Sequence, residues 1–496
     1  MIHKIRSCIN TYGLICTFSI SIFLLVMFAF ESSDFNVFAK VQSSPLAGMN
    51  FSKPKDVWSK DGIMRTTLIA AYHTGKVDGK PVTAMLYNGS LPGPTLHVYP
   101  GDRIELNLVN HLNETTNLHF HGAHVSPTNN SDNVFLEVAP GTTQHYTVDI
   151  PKDHPPGTLW YHSHLHELSY GQVSAGMSGL IIVEGLEKLL PKPLQNITTQ
   201  TFAMRDFPFD QLYVTTNNIQ HNLLPLSNTD TGHERLTVNG EVNPEINMTS
   251  GETQLWHLAN IGPENYLTVE LPGHTFHVIA EDGHPVWQVW NNNTLFLPSG
   301  KRFDVLVTAT GNGSIPFRTV NNSFTEPYDH LIATVNIQSN QPPPLVHVEH
   351  VNIIPTTLPY PKRDLSNATI AAHRVLNFSS NDVNWRYVIN NKIFDPNRID
   401  FKVKLGTVEE WKLVNLDRGG AGIDHPFHIH TNHFQVMSIN GKPYDAHGLQ
   451  DTVVIPPSSD VVIRIPFEDF VGKSVFHCHL LFHGDNGMMG TFEVVK

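Results

Sequence analysis

Cysteine is nearly missing from this chain: three occur in 496 residues, at Cys8, Cys16 and Cys478. The first two lie in a segment that reads as an export signal, so a mature chain keeps Cys478 alone and cannot close an intrachain disulfide. Charge is sparse too, at 16%, with a formal balance of −13 and no long run of Lys and Arg. That removes the electrostatic footprint of a nucleic-acid partner. Methionine numbers 11, with no cluster ahead of the last motif, and long amphipathic helical patterns are scarce. Hydrophobic residues make up 40% of the chain, so disorder is not the reading. One residue type is oversupplied. Thirty histidines stand against 32 lysines and arginines together. A chain this rich in neutral imidazole points to metal.

His3, Lys4 and Arg6 precede an uncharged apolar run over residues 14–30, and Val37-Phe38-Ala39 offers a small-residue cleavage site before Lys40. Residues 1–39 are therefore expected to be a signal peptide or an N-terminal membrane anchor. Either way the bulk of the chain is expected outside the cytoplasm, as an extracellular, periplasmic or cell-surface protein. A lone cysteine in an oxidising compartment needs an occupant. N-x-S/T triplets begin at Asn88, Asn113, Asn129, Asn196, Asn247, Asn292, Asn312, Asn321, Asn367 and Asn377, which a glycosylating host would read as acceptor sites.

A threefold repeat organises the rest. GDRIELNLVN begins at Gly101, GETQLWHLAN at Gly251 and GTVEEWKLVN at Gly406, so the starts lie 150 and 155 residues apart. Each is a glycine, an alternation of polar and apolar residues, then an asparagine, the pattern of a half-buried strand. A related turn precedes each: NGSLPGP at Asn88, NGEVNPE at Asn239 and INNKIFDP near Asn390. With 34 glycines and 34 prolines at the turns, the chain reads as all-β, three consecutive Greek-key sandwiches. The expected domains are residues 40–190, 191–342 and 343–496, the last boundary at the proline run Gln341–Pro344.

The histidines separate the repeats. GTLWYHSH at Gly157 resembles GKSVFHCH at Gly472, and each is followed by a GM-x-G stretch, at Gly176 and Gly487. The third repeat also carries HPFHIH; the second has Leu267, Glu270 and Pro272 at those histidine positions. Only the first and third repeats hold the ligand pattern. Chance would yield about two His-x-His pairs in such a chain; five occur, and four of them form the clusters HFH, HSH, HPFHIH and HCH.

On a strand, residues i and i+2 share a face and residue i+1 faces the other way. His119 with His121, His162 with His164, His428 with His430, and His477 with His479 thus form four pincers. Cys478 must point opposite to its two neighbours. His425, three residues before His428, shares its side. His483 follows, with Met488 five residues on. Two imidazoles, a thiolate and a weak thioether define a blue-copper electron-transfer site, here His425, Cys478, His483 and Met488. Eight further imidazoles exceed the needs of one metal and suit three coppers with open positions for a small oxidant. The peptide through Cys478 would join the two sites.

These clusters, with HPPGTLWYHSH and GHPVWQVWNN outside the ligands, resemble the three-domain multicopper oxidases over residues 60 to 496. That family holds laccases, bilirubin oxidases, cuprous oxidases and ferroxidases. The resemblance implies cupredoxin-like domains and four copper ions. It implies type 2 copper on His119 and His428, and a type 3 pair on His121, His162, His164, His430, His477 and His479. It further implies one-electron oxidation of a small reducing substrate coupled to reduction of dioxygen to water. Bacterial members carry a glutamate just after the residue matching His483; here Gly484 stands there, and Asp485 is the candidate replacement. Asp132, in NNSDN, is the candidate second proton-delivery acid. A solvated loop carboxylate is the plain alternative for both.

Other histidines take plainer roles in this reading. His166, without a counterpart in the third repeat, is read as a residue behind the ligands or on the surface; His274, His277 and His284, in the ligand-free repeat, are read as structural; and His347 and His350 lie at the linker. Met489 is read as packing, with Met177 as its match in the first repeat. A copper nitrite reductase would have two domains and no HCH; a non-enzymatic copper protein would have lost ligands. Lacking a methionine-rich insert, the chain is expected to be laccase-like, acting on phenolic or other aromatic donors, with cuprous, ferrous or manganous ion as the alternative. The thioether of Met488 predicts a modest potential. A monomer is expected.

Overall fold

Alternation of burial along the repeat strands sets the architecture. In Arg103–Asn110 the side chains of Ile104, Leu106 and Leu108 turn inward while Arg103 and Asn107 stay exposed. The computed structural model describes residues 53–207, 213–216, 219–222, 235–320, 331–339, 354–381, 386–418 and 423–496, all within one compact unit, Ser43–Lys496. Residues 1–39 with Cys8 and Cys16, expected to be a signal or anchor, and Asn321, the proline run at 341–344, His347 and His350 lie outside the described residues. Among the described residues no helix is long and apolar enough to cross a membrane.

Strands fall into three chain-consecutive pairs of sheets, with one small hairpin, Tyr213–Thr216 with Ile219–Asn222. In the third pair, Thr407–Asn415, Gln435–Ile439 and Asp460–Phe467 share one sheet, whereas His425–Ile429, Thr452–Ile455 and Gly472–Cys478 share the other. Successive strands thus keep crossing between sheets, which is Greek-key wiring. Each sandwich encloses its own apolar core, centred on residues such as Leu106 and Tyr146, Trp256 and Phe317, and Trp411 and Phe476. Among the described residues the α-helices are short, Ser169–Ser174 and Leu481–Asp485.

The repeated asparagines explain themselves. Asn110, Asn260 and Asn415 are buried at the ends of equivalent strands, and each Nδ2 donates to two main-chain carbonyls: Glu114 and Val138, Asn265 and Leu297, Ile423 and Ile455. Each amide staples the following loop to its sandwich, a bond that an apolar side chain could not make. The turn asparagines match as well. Asn88, Asn239 and Asn390 take positive φ of 55°, 52° and 52°, and each Oδ1 accepts from a main-chain N–H, of Ile69, Ala203 and Asn377. Asparagine tolerates this left-handed conformation because its short amide bonds locally.

Strand registers also place the histidine pincers. His119 lies opposite His162 in the first repeat and His428 opposite His477 in the third. Leu267 pairs with Leu297 as His425 pairs with Ile455, so the middle repeat has the same strand without the ligands. One expected match is corrected by register. Ser178 pairs with His162 and Met489 with His477, so Met177 is the counterpart of Met488, not of Met489. Met489 is buried with Val134, Phe394 and Val475, a packing role that stands without that match.

Trp411 is fully buried, its ring against Phe401, Phe427, Phe467, Phe476 and Phe492. Trp411→Ala is expected to cost about 3–5 kcal/mol, read as a lower guanidinium midpoint for the third sandwich. A loss well under 1 kcal/mol would show that this ring is not central to the core.

Candidate metal centres

Cys478 ends the strand Gly472–Cys478, fully buried, and its sulfur faces the third core. Sγ lies 3.6 Å from His425 Nδ1 and 3.7 Å from His483 Nδ1, and the two rings cross at 63°. His483 comes from the short helix Leu481–Asp485 and stacks on Tyr387 at 4.3 Å. Met488 is buried beside them; its N–H donates to His483 O and its carbonyl accepts from Cys478 N–H. Burial pushes the Cys478 thiol far above its ordinary range. A thiol so placed stays protonated unless a cation stabilises the thiolate, and that is what a bound metal does.

Asp417 holds the far side of His425, its Oδ2 2.9 Å from Nε2. Burial works against the Asp417 charge, yet hydrogen bonds from His425 and Ser380 keep the carboxyl below its usual range. This fixes the ring with Nδ1 toward the sulfur. Such outer partners set ligand orientation and basicity.

On the opposite side of the same strand, eight imidazoles from the first and third repeats converge. His119 stacks on His430 at 3.7 Å and His121 on His428 at 3.8 Å. Nε2 of His477 lies 3.1 Å from Nε2 of His164 and 3.2 Å from Nε2 of His430. Three of the pincers outrun their strands: His164, His430 and His479 lie just past the ends at His162, Ile429 and Cys478. Their backbones stay anchored because His164 N–H donates to Asn117 Oδ1, His430 N–H to Val475 O and His479 N–H to Pro426 O.

Most rings present one tethered and one bare nitrogen. Nδ1 is held by Asp132 in His119, Ser163 O in His162, Asp451 O in His428, Cys478 O in His477 and Ser299 Oγ in His479. His121 is reversed, with Nε2 3.2 Å from Asp451 Oδ1. Among the described residues, Nε2 of His119, His162, His428 and His479 and Nδ1 of His121 are buried and unpartnered. A buried polar atom without a partner is costly, so these bare lone pairs fit bound metal. His119, His428 and His430 form one ligand-sized group, and His164, His430 and His477 another. Among the described residues, no such group draws on the middle repeat.

The two candidate acids differ in surroundings. Asp132 is buried, contacts His119 Nδ1 at 2.9 Å and accepts from Phe120 N–H; burial raises its carboxyl to about 8. Asp485 is half-buried and spans to the first repeat, accepting from Tyr170 N–H at 2.7 Å and Glu167 N–H at 3.1 Å. Burial raises it to about 7, against those bonds. Neither is a solvated loop carboxylate. His166 is half-buried, its ring edge on Phe394. His274 and His277 bond within the middle repeat, His274 to Pro272 O and the Thr310 N–H and His277 to Asn291 Oδ1. His284 packs edge-on against His433, and both line a cavity of about 230 Å³. Asp451, Asp417 and Ser299 escaped the sequence reading, because nothing in their own motifs marks them; they matter only through the imidazoles they touch.

Profiles described as multicopper oxidase match residues 70–188, 209–336 and 366–496. The chain is 28% identical over 417 residues to a multicopper oxidase of Staphylococcus haemolyticus, covering 83% of each chain. It is 28% identical over 477 residues to an iron transport multicopper oxidase of Candida glabrata, covering 82% of this chain and 72% of that one. In fold it is similar to a solved laccase from Pediococcus acidilactici, with a TM-score of 0.73 at 23% identity, covering 91% of this chain and 95% of that one.

Stability of the metal-free protein should follow the imidazoles. Burial lowers seven of the eight, His119, His121, His162, His164, His430, His477 and His479, below the ordinary 6.5. Their contribution is present above pH 6.5 and lost as pH falls below it, because the unfolded chain then binds the protons. Asp132 and Asp485, raised by burial, act oppositely: their contribution is present near pH 4 and lost as pH rises toward 8 and 7. Seven groups outweigh two, so urea midpoints should rise from pH 5 to pH 7, and more steeply in Asp132→Asn. A flat or falling profile would contradict the burial of neutral imidazoles.

Proposed function

The chain belongs to the multicopper oxidase family, copper oxidoreductases that use dioxygen, and on that premise we propose that it is an exported, laccase-like oxidase of small aromatic reductants. Type 1 copper is assigned to His425, Cys478, His483 and Met488, type 2 to His119 and His428, and the type 3 pair to His121, His162, His164, His430, His477 and His479. When bound, copper supplies the one-electron acceptor at the first site and the dioxygen-reducing centre at the second. The observation that carries this reading is Cys478. Its sulfur sits between two imidazoles of one cluster, while its peptide neighbours His477 and His479 belong to the other.

The chain's own residues do the rest. Asp417 orients His425, and Tyr387 lies flat against His483. The Cys478 carbonyl contacts His477 Nδ1 at 2.9 Å, so a hydrogen bond runs beside the covalent link between the sites. Buried walls exclude water from both clusters. Asp132 and Asp485, raised toward neutrality, hold protons that ordinary carboxyls would release, which suits them to proton delivery at the oxygen side. Exposed apolar side chains near the first site, Phe296 stacked on Tyr266 and Leu416 beside Asp417, suit an aromatic reductant.

A second reading, oxidation of a metal ion, is favoured by Asp417, a carboxylate directly on a type 1 ligand, and by similarity to the iron transport enzyme of Candida glabrata. Asp417→Asn keeps the shape and removes the charge. Under this second reading it should lower kcat/KM for ferrous ion roughly tenfold more than for a phenol, the size of one charge-assisted bond, since any change in the hold on His425 acts on both substrates alike.

Copper-loaded protein should be blue and consume oxygen with a phenol. A colourless loaded protein, or a blue one that takes up no oxygen with phenol, ferrous or cuprous ion, would remove the proposal. Cys478→Ser should abolish the colour and leave the other coppers bound, whereas Met489→Ala should keep the colour and lose about 2–3 kcal/mol of stability.

A further inference from the structure

Among the described residues the middle repeat contributes no ligand, yet one of its turns reaches the oxygen-side cluster. Residues 298–302, Pro-Ser-Gly-Lys-Arg, lead into the strand Arg302–Thr308. Ser299 Oγ donates its one proton to Gly262 O at 2.5 Å, so it accepts from His479 Nδ1 at 3.0 Å. That leaves Nε2 of His479 as the lone-pair nitrogen, and it is the bare one. Gly300 has a φ of +86°, and a Cβ there would lie 3.1 Å from both His121 Cε1 and His479 Nε2. The turn thus packs on two type 3 rings, and a side chain there would press on both from a strained backbone.

Arg302 completes the contact. It is fully buried and forks onto Asp451, with Nη2 2.7 Å from Oδ2 and Nη1 2.9 Å from Oδ1. Asp451 carries the constraint to two ligands, Oδ1 3.2 Å from His121 Nε2 and the main-chain carbonyl 2.9 Å from His428 Nδ1. A Cβ on Gly122, the residue after His121, would lie 2.2 Å from Arg302 Nη2 and 2.8 Å from Asp451 Oδ2. The ion pair occupies space that only glycine leaves. Behind it, Asp282 takes Lys301 at 2.9 Å and Arg302 at 3.4 Å, and Lys301 also takes Glu281 at 2.6 Å. Charges alternate along Glu281, Lys301, Asp282, Arg302 and Asp451, ending on an anion beside the imidazoles. In a dry interior that surplus charge complements a cation.

We propose that the Ser299–Arg302 turn of the ligand-free repeat is a positioning element of the trinuclear site, Ser299 setting the tautomer of His479 and Arg302 orienting His121 and His428 through Asp451. The inference rests on the copper assignment above. A buried Arg–Asp pair serving stability alone would not alter the copper environment, so spectroscopy separates the two roles.

The test uses full-length copper-loaded protein and reads the type 2 copper by electron paramagnetic resonance, with copper affinity by chelator competition. Arg302→Gln and Asp451→Asn should each change the type 2 hyperfine splitting and weaken that copper by about 10–100-fold. The double variant should match Asp451→Asn alone, because the arginine acts through the aspartate. Arg302→Lys should recover part of the signal, having the charge without the fork. Arg205→Gln is the control: Arg205 is equally buried, bonds Val173 O and Ser174 O, and should lower thermal stability without moving the signal. An unaltered type 2 signal and affinity in Arg302→Gln, or additive effects in the double variant, would overturn the proposal. If Arg302→Gln does not fold, the isosteric Asp451→Asn decides it by the same readout. A wild-type protein with no type 2 signal would overturn the copper assignment itself, and this inference with it.

Discussion

Neighbouring side chains on an extended strand leave it on opposite faces, and the two-sided arrangement here depends on that pleat at residues 477 to 479. The sulfur of Cys478 turns into the third sandwich toward His425 and His483, and the flanking rings turn toward the first repeat. A helix would scatter the three side chains around a cylinder. The strand instead separates two side-chain clusters by a single peptide unit, one built around the sulfur with two imidazoles, the other lined by imidazole alone.

Holding eight imidazoles together without metal is expensive. Five of their nitrogens are buried and bare among the described residues. At about 1–3 kcal/mol for each unsatisfied polar atom, their sum rivals the whole stability of a domain. The scaffold meets this cost with three well-filled cores and with anchors on the other nitrogen of each of these five rings. Those anchors come from every repeat: Asp132 from the first, Ser299 from the second, Asp451 from the third. The middle repeat thus touches the imidazole cluster, though among the described residues it adds no member to it.

Much of this was legible from residue order. The repeated glycine-to-asparagine segments mark equivalent strands, and the His-x-His spacing marks shared faces, because both are consequences of period two within one strand. Faces assigned to His425 and Cys478 hold for the same reason. Where the reading slipped, it concerned correspondence between strands: Met177 was paired with Met489, and only the register against His162 and His477 assigns it to Met488. The acids mark a further boundary. Asp132 and Asp485 lie in polar loop sequences that look solvated, and tertiary packing buries the first against His119 and ties the second to the Ser169–Ser174 helix.

By itself the sequence determined the all-β threefold plan, the two clusters of imidazole side chains and the single sulfur that lies between them, since each is a matter of spacing along one strand. Tertiary structure alone decided which nitrogen of each ring is tethered, which acids are buried, and that Ser299, Arg302 and Asp451 meet at the cluster. Those contacts join residues up to 330 positions apart, as between His121 and Asp451. Spacing within a segment carries no information about distances of that kind; only the packing of separate sandwiches against one another creates them.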